Sequence, residues 1–285
     1  MNAIGTFSSP AVVILKEPVA DYEARRNLRL TSHRLFEFKS GPKAFRESKP
    51  AAPDEKAALR KLEYHRAGAA THCCVLEGPV TYATRYVVDG PVNPKTGKSY
   101  GMGTKKFLSF ATEKEAELAA SGDKRQIITP TCDEMVRKIF DAAWQDPRAF
   151  NLMHGCDPEV SVLATYGTIL CQSRLDAWKP GNHILDLKTI EDMGRLAVQI
   201  EAFGYRHQMA FYRRMVEIVT GDRLPVFIIG VEKKSPWRVK VEELTDRDLT
   251  QAEQENDAAI RAVRRCLNSD VWPETFSVQE EMWRT

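Results

Sequence analysis

The segment CQSRLDAWKPGNHILDLKT, Cys171 to Thr189, decides how this chain is read. Its Pro180-Gly181 pair marks a turn, and the runs on either side read as two strands of a hairpin. Four charges, Arg174, Asp176, Asp186 and Lys188, interrupt otherwise apolar strands. With the hairpin symmetric about Gly181, Asp176 faces Asp186 and Arg174 faces Lys188, each pair with Cβ atoms about 4.5–5.5 Å apart. Residues two apart along a strand share a face as well. All four charges are therefore expected on one patch, with Leu175, Ala177, Leu185 and Leu187 on the core side. A slip of one residue would undo this arrangement.

Two opposed carboxylates repel unless a proton or cation lies between them. An oxygen-lined pair suits a hard divalent ion such as Mg²⁺, for which Mn²⁺ may substitute, completed by water and phosphate oxygens. A lysine two residues on is placed to touch an attacking water or a phosphate. Together these groups equip a site for metal-assisted phosphodiester hydrolysis. The alternative of a salt-bridged surface hairpin would leave the apolar flanks of both strands without a purpose.

Outward from the hairpin, "EVSVLATY", "TILCQSRLDAW" and "HILDLKTI" form three successive strand-like runs, an antiparallel meander. One long helix is expected through "RLAVQIEAFGYRHQMAFYRRMVEIV", then a buried strand "LPVFIIGVEK", an alternating strand "WRVKVEEL", and an amphipathic helix to Ser269. Upstream, helices are expected over "LTSHRLFEFKS", with Thr31 or Ser32 as N-cap, over "EKAALRKLEYHRAGAATHCCVLEG", and over "TCDEMVRKIFDAAWQ", whose buried stripe is Met135, Ile139 and Ala142/Ala143. "PVNPKTGKSYGMGTKKF" reads as a loop. The order predicts an α+β or mixed α/β fold. Residues 1–20 are expected as a flexible arm and 21–285 as a single domain, with a mainly helical part over 21–150 and a core over 155–285.

The 285 residues, 43% of them hydrophobic, suffice for a sizeable core. No run approaches the ~18 apolar residues of a membrane span, and the start lacks the basic region of a signal peptide. A cytoplasmic protein is expected. The six cysteines include no C-x-x-C pair, which speaks against a structural zinc or a cysteine-held cluster. Between Tyr22 and Arg66 there are 12 Lys/Arg against 6 Asp/Glu, a local basic excess that suits a polyanionic partner.

"LDAW…ILDLKT" resembles the PD-(D/E)xK nuclease core. The resemblance implies a restriction-endonuclease-like central sheet flanked by helices, with Asp176 and Asp186 as metal-binding acids and Lys188 as the catalytic lysine. "GYRHQMAFYRRM" is similar to the Q-x-x-x-Y helix of recombination nucleases, giving Gln208 and Tyr212, which share a helix face, a place at the site. "GAATHCCVLEG" is similar to a G-x-x-x-H-x-x-x-L-E segment of the exonuclease VIII type of phage and prophage enzymes, so that His72 is the matching further metal ligand. "LTSHRLFEFKSGPKAF", "NPKTGKSYG" and "VWPE" resemble that family too, over about Tyr22 to Trp272. It implies a metal held by His72, Asp176, Asp186 and the backbone carbonyl of Leu187, and a scissile phosphate contacted by Arg174 and Gln208. Tyr212 joins the DNA-binding set.

The implied activity is Mg²⁺-dependent digestion of linear double-stranded DNA from 5′ ends to mononucleotides, leaving 3′ tails for a single-strand annealing protein in recombination. Relatives form closed rings, so a homo-oligomeric trimer or tetramer is implied, acting in a bacterial host cell if phage-encoded. Gln172 stands where relatives often carry a lysine. Glu159, ahead of the first strand, is either a metal or supporting acid or an ordinary surface acid. A structure- or site-specific endonuclease on the same core, or a non-catalytic DNA-binding recombination protein, are the rival readings.

Overall fold

The computed structural model describes residues 13–47 and 55–282. Its first element is β1, Val13–Lys16, where a loose arm is expected; Met1 to Val12 lie outside the described residues. β1 is apolar at three positions and pairs antiparallel with a later strand from Val13↔Leu163 to Lys16↔Val160. Three short helices follow: α1, Val19–Ala24; α2, Ser32–Ser40; and α3, Pro42–Glu47. Thr31 caps α2 by accepting from Arg34 N–H, satisfying one of the free donors of its first turn.

The helix α4, Glu55–His72, continues through a π-helical turn at Cys73–Glu77 into α5, Pro79–Arg85, with Gly78 at φ 93 making the corner. β2, Tyr86–Val88, and β3, Gln126–Ile128, form a small parallel pair on either side of α6, Lys105–Ala120. α7, Pro130–Gln145, and α8, Pro147–Met153, lead into the main sheet. α7 buries Cys132, Val136, Ile139 and Ala143; Met135 and Ala142 of the expected stripe lie half-buried at its margin.

The expected meander is present as β4, Asp157–Tyr166; β5, Ile169–Lys179; and β6, His183–Ile190. β7, Val226–Glu232, pairs parallel with β6, and β8, Val239–Leu244, antiparallel with β7. The mixed sheet therefore runs β1-β4-β5-β6-β7-β8.

The crossover between β6 and β7 carries α9, Leu196–Ala202, and α10, Tyr205–Thr220, where one continuous helix is expected. The break is Gly204, at φ 66. A Cβ there would lie 2.7 Å from Cε2 of Phe36 on α2, so glycine serves both the left-handed backbone and the close approach. α11, Asp246–Ser269, and α12, Val278–Met282, complete the chain's described elements.

Helices cover both faces of the sheet. On one face α2, α10 and α11 enclose Phe38, Leu175, Ile184, Met209, Phe211 and Val263. On the other, α7, α8 and the π-helical turn pack Val75, Ile139 and Ala149 on Leu185, Leu187 and Ile229. A third cluster, including Cys74, Tyr82, Phe107 and Ile127, holds the N-terminal helices to the β2–β3 pair. Each fully buried aliphatic or aromatic side chain contributes roughly 1.5–3 kcal/mol. The six cysteines are free thiols. Among the described residues no helix is long and apolar enough to cross a membrane.

The Gly204 break orients α10 toward the charged hairpin. Gly204→Ala should lower stability by about 1–3 kcal/mol in urea unfolding, combining left-handed strain with the displaced ring. Adding Phe36→Ala should recover part of that loss, because it removes the clash and leaves only the backbone strain.

Candidate active site

The β5–β6 hairpin has the register expected from its turn: Lys179↔His183, Trp178↔Ile184 and Ala177↔Leu185, around Gly181 at φ 66. One step further, where Asp176 meets Asp186, the ladder stops. The Asp176 carboxylate takes over from the backbone, its Oδ2 accepting the Leu187 N–H at 2.8 Å. On the other side, the β4–β5 ladder keeps one register from Asp157↔Trp178 to Tyr166↔Ile169 but skips the Glu159–Asp176 step. Glu159 has φ 54, an unusual conformation for a residue with a Cβ.

This distortion changes the faces. Ala177, Leu185 and Leu187 pack toward α7 and α8 as expected, whereas Leu175 packs with the α10–α11 side. The expectation of a common face for all four fails because alternation is broken at Asp176, opposite the left-handed Glu159. Glu159 itself lies inside β4, not ahead of it.

The same distortion resolves the expected opposition of Arg174 and Lys188. Arg174 turns toward β4, its Nε donating to Glu159 Oε2 at 2.7 Å and one terminal nitrogen to Ser161 Oγ and the Glu17 carbonyl, each at 3.2 Å. Lys188 Nζ lies 2.7 Å from Asp186 Oδ2 and 4.6 Å from the centre of the Tyr205 ring. Each cation has its own carboxylate, so the two need no shared anion.

His72 ends α4, where the π-helical turn follows directly. Its Nδ1 is 3.6 Å from Asp176 Oδ2, and the ring lies beside the backbone of Leu187. Donor atoms of His72, Glu159 and Asp176 lie within 4.8 Å of one another, a spacing that one cation can span. Gln208 donates from Nε2 to the Tyr212 hydroxyl at 2.9 Å, and Tyr212 is buried within the electrostatic reach of Asp186 and Asp176. The structure thus gathers His72, Glu159 and Asp176 into one donor group, joined to Leu187 through Asp176, with Asp186 paired to Lys188 within their electrostatic reach and α10 alongside. Arg174 reaches the group only through Glu159.

Asp186 is the most constrained member. Its side chain is 1% exposed, and neither carboxylate oxygen has a hydrogen-bond partner. The lysine ammonium is near enough for charge attraction but lies outside hydrogen-bond geometry. Burial, with the Asp176 charge adding to it, pushes Asp186 up to about 6 against the pull of Lys188. Burial likewise raises Asp176 and, together with the Asp176 charge, Glu159. Burial pulls Lys188 down, but Asp186 and Asp176 more than offset it and hold the ammonium charged. Burial lowers His72, favouring the neutral imidazole that a metal requires. Orphaned buried oxygens beside carboxylates and a neutral imidazole fit a divalent cation, and the oxygen-rich donor set favours a hard one.

Some participants gave no sequence signal. Tyr205 reaches Lys188 because α10 starts at Gly204. His33, on the exposed side of α2, lies within the electrostatic reach of Lys188 and Asp186. Glu17 contributes its carbonyl from the end of β1. The one available clue was Glu159, an acid among β-formers shortly before the hairpin.

A family model described as "PDDEXK-like domain of unknown function (DUF3799)" matches residues 55–281, from α4 to the C-terminal helix. The chain belongs to this PDDEXK-like family. Its architecture agrees with a crystal structure described as "Putative exonuclease" from Eubacterium rectale, at a TM-score of 0.59 and 14% identity. The match covers 92% of this chain and 90% of that one, and at this identity it is a likeness of fold. No curated protein matches the sequence. The PDDEXK-like assignment agrees with the nuclease fold expected from Asp176, Asp186 and Lys188.

Asp186 gives a direct test of the strained site. Its folded value lies above the ordinary carboxylate value, so the folded protein holds this proton more tightly than the unfolded chain. Ionising it therefore costs stability as pH rises through that window, and the cost is complete above about 6. In EDTA at pH 7, Asp186→Asn should stabilise the fold by about 3 kcal/mol, because the rise from 3.8 to about 6 is worth about 1.36 kcal/mol per pKa unit. Chemical denaturation measures this, and the gain should shrink toward pH 4.

Proposed function

We propose that this PDDEXK-like protein is a Mg²⁺-dependent exodeoxyribonuclease of the exonuclease VIII type. It degrades linear double-stranded DNA from 5′ ends to mononucleotides, leaving 3′ single-stranded tails for a strand-annealing partner. The observation that carries the reading is the buried Asp186, without a hydrogen bond, paired with Lys188 and within electrostatic reach of His72 and Asp176, which with Glu159 form a group one cation could span.

His72, Asp176, Asp186 and the Leu187 carbonyl would hold the ion, with Glu159 supporting or completing the set. When bound, it supplies a polarised phosphoryl oxygen and a more acidic water. Lys188, held charged by its neighbours, orients the nucleophile and donates to the developing phosphate charge rather than removing a proton. Gln208, steadied by Tyr212, approaches the scissile phosphate from α10. Arg174 acts indirectly, by fixing the Glu159 carboxylate.

Duplex DNA is held through its backbone. The basic excess of the N-terminal stretch is in large part internally compensated: Arg25 pairs with Glu17, Arg34 with Glu37, Lys43 with Glu274, Arg46 with Asp270 and Arg66 with Glu115. Lys95 and Lys98 stand exposed on the loop before α6, a turn closed by Gly97 N–H on the Asn93 carbonyl, and take the larger share of that role. Contacts of this kind are salt-sensitive and independent of sequence. A homo-oligomeric ring and a cytoplasmic setting complete the proposal.

Incubation with linear and covalently closed forms of one plasmid tests the activity. With Mg²⁺ the linear form should be digested to nucleotides, and the closed circle should persist. Cutting of the closed circle would establish an endonuclease instead. Duplexes blocked at one 5′ or 3′ end read direction. Asp186→Ala should lower the rate by a hundredfold or more, of the order seen when an electrostatic group is removed from a catalytic centre, and should retain duplex binding. Undiminished digestion would remove Asp186 from the site.

A further inference from the structure

α4 separates two trenches. His65, Gly68, Ala69 and His72 face one, which also contains Glu159 and Arg174 and belongs to the nuclease site. Arg60, Glu63, Tyr64 and Ala67 face the other, a cavity of about 690 Å³ closed by the loop around Tyr100 and the β7–β8 turn from Lys233 to Trp237. These two sets are neighbouring helical stripes, and Tyr64 lines both trenches.

The second trench is joined to the catalytic lysine. Tyr64 lies within the electrostatic reach of Tyr205, whose ring faces Lys188. Glu191, at the trench wall, is three residues beyond Lys188, about 10 Å along the strand direction at the usual rise. The Lys233 N–H donates to the Ile190 carbonyl at 2.9 Å, and its ammonium pairs with Glu191 at 2.6 Å and lies 5.1 Å from the centre of the Tyr64 ring.

The lining chemistry selects the occupant. Three cations, Arg60, Lys233 and Lys234, are matched by three acids, Glu63, Glu134 and Glu191, so backbone phosphates, of one strand or of two, gain no net attraction there and the discrimination must come from the bases. It does offer aromatic surface: Tyr64 is 57% exposed, and Tyr100 and Trp237 are half-buried at the trench wall. Aromatic faces take up bases by stacking, and bases are available in a single strand but hidden in a duplex.

We propose that this trench binds single-stranded DNA through its bases, and that it receives the strand freed as the duplex end is consumed. This rests on the nuclease reading for its role, though not for the binding itself. Tyr64 is placed at the divide, where the two strands part toward different sides of α4.

The test uses the full-length protein in EDTA, with a fluorescein-labelled oligothymidylate and an abasic oligomer of equal length, read by fluorescence anisotropy. Oligothymidylate should bind well above the abasic control, and its affinity should fall about tenfold in Tyr64→Ala, since one stacked base is worth roughly 1–3 kcal/mol. Trp237→Phe, which preserves an aromatic face, should retain most of the affinity, and Trp237→Leu should lose it. Thermal melting of each variant confirms the fold. Equal binding of the abasic oligomer, or unchanged affinity in both Tyr64→Ala and Trp237→Leu, would overturn the proposal. Linear-duplex digestion by the wild type is measured alongside with Mg²⁺. If digestion fails while base-dependent binding holds, the nuclease reading fails and the trench stands as a single-strand site. If digestion succeeds and base-dependent binding fails, only the trench is refuted.

Discussion

Asp186 lies in a central strand of a sheet covered by helices on both faces, flanked by fully buried leucines at 185 and 187. Ile184, Leu185 and Leu187 show what such a strand ordinarily carries. A carboxylate in that setting is disfavoured by loss of water, and it has no hydrogen bond to offset the loss. The nearby ammonium of Lys188 moderates the cost without cancelling it, as the upward displacement of Asp186 indicates. Much of the surrounding architecture serves to maintain this position. β7 fixes β6 in parallel register through the whole stretch from Ile184 to Ile190, so the strand cannot twist the aspartate out to solvent. Leu185 and Leu187 anchor the opposite face on α7 and α8.

The second constraint is that β5 and β6 must part where their acids meet. A continuous antiparallel ladder would fill the space between Asp176 and Asp186 with backbone hydrogen bonds. Instead Asp176 accepts the Leu187 N–H, so one donor is satisfied and the strands still separate. The left-handed Glu159 performs the matching adjustment on β4 and brings a third carboxylate to the same gap. Strained backbone that persists at a cluster of destabilised charges fits a site built for a ligand rather than for the fold. Arg174, itself bonded to Ser161, then holds the glutamate from behind.

Much of this was legible in the sequence, for physical reasons that also mark where legibility ends. Period-two alternation around a Pro-Gly turn is local, so the hairpin register and the approach of Asp176 to Asp186 followed from spacing alone. The Thr31 cap and the three-strand meander were equally local. The left-handed Glu159 was not legible, because a glutamate normally avoids that conformation and only its neighbours impose it. Hence Leu175 was assigned to the wrong face and Arg174 to the wrong partner. Gly204 was overlooked because a single glycine inside a strong helical period is tolerated at modest cost; its requirement comes from Phe36, far away in sequence. β1 is not legible as a strand in its own sequence, because a short apolar run becomes one only when a sheet edge is there to receive it. The charge excess of the N-terminal stretch misled in a similar way, since Glu115, Asp270 and Glu274 compensate it from distant parts of the chain.

α4 connects these local results to the behaviour of the whole molecule. Its last residue, His72, enters the group with Glu159 and Asp176 that could hold a cation, and the π-helical turn that follows shifts the chain's phase so that Cys73, Cys74 and Val75 are buried against the N-terminal and α7 cores. Eight residues earlier, Tyr64 stands exposed on the same helix between two trenches of different chemistry. A rigid helix carrying the proposed metal ligand at one point and the proposed aromatic divide two turns away fixes the distance between them, about 12 Å at the helical rise. In the proposed enzyme, that spacing would set how far from the cleaved phosphate the duplex must already have opened. The helix that completes the charged gap around Asp186 would then also determine where paired DNA ends and single-stranded DNA begins.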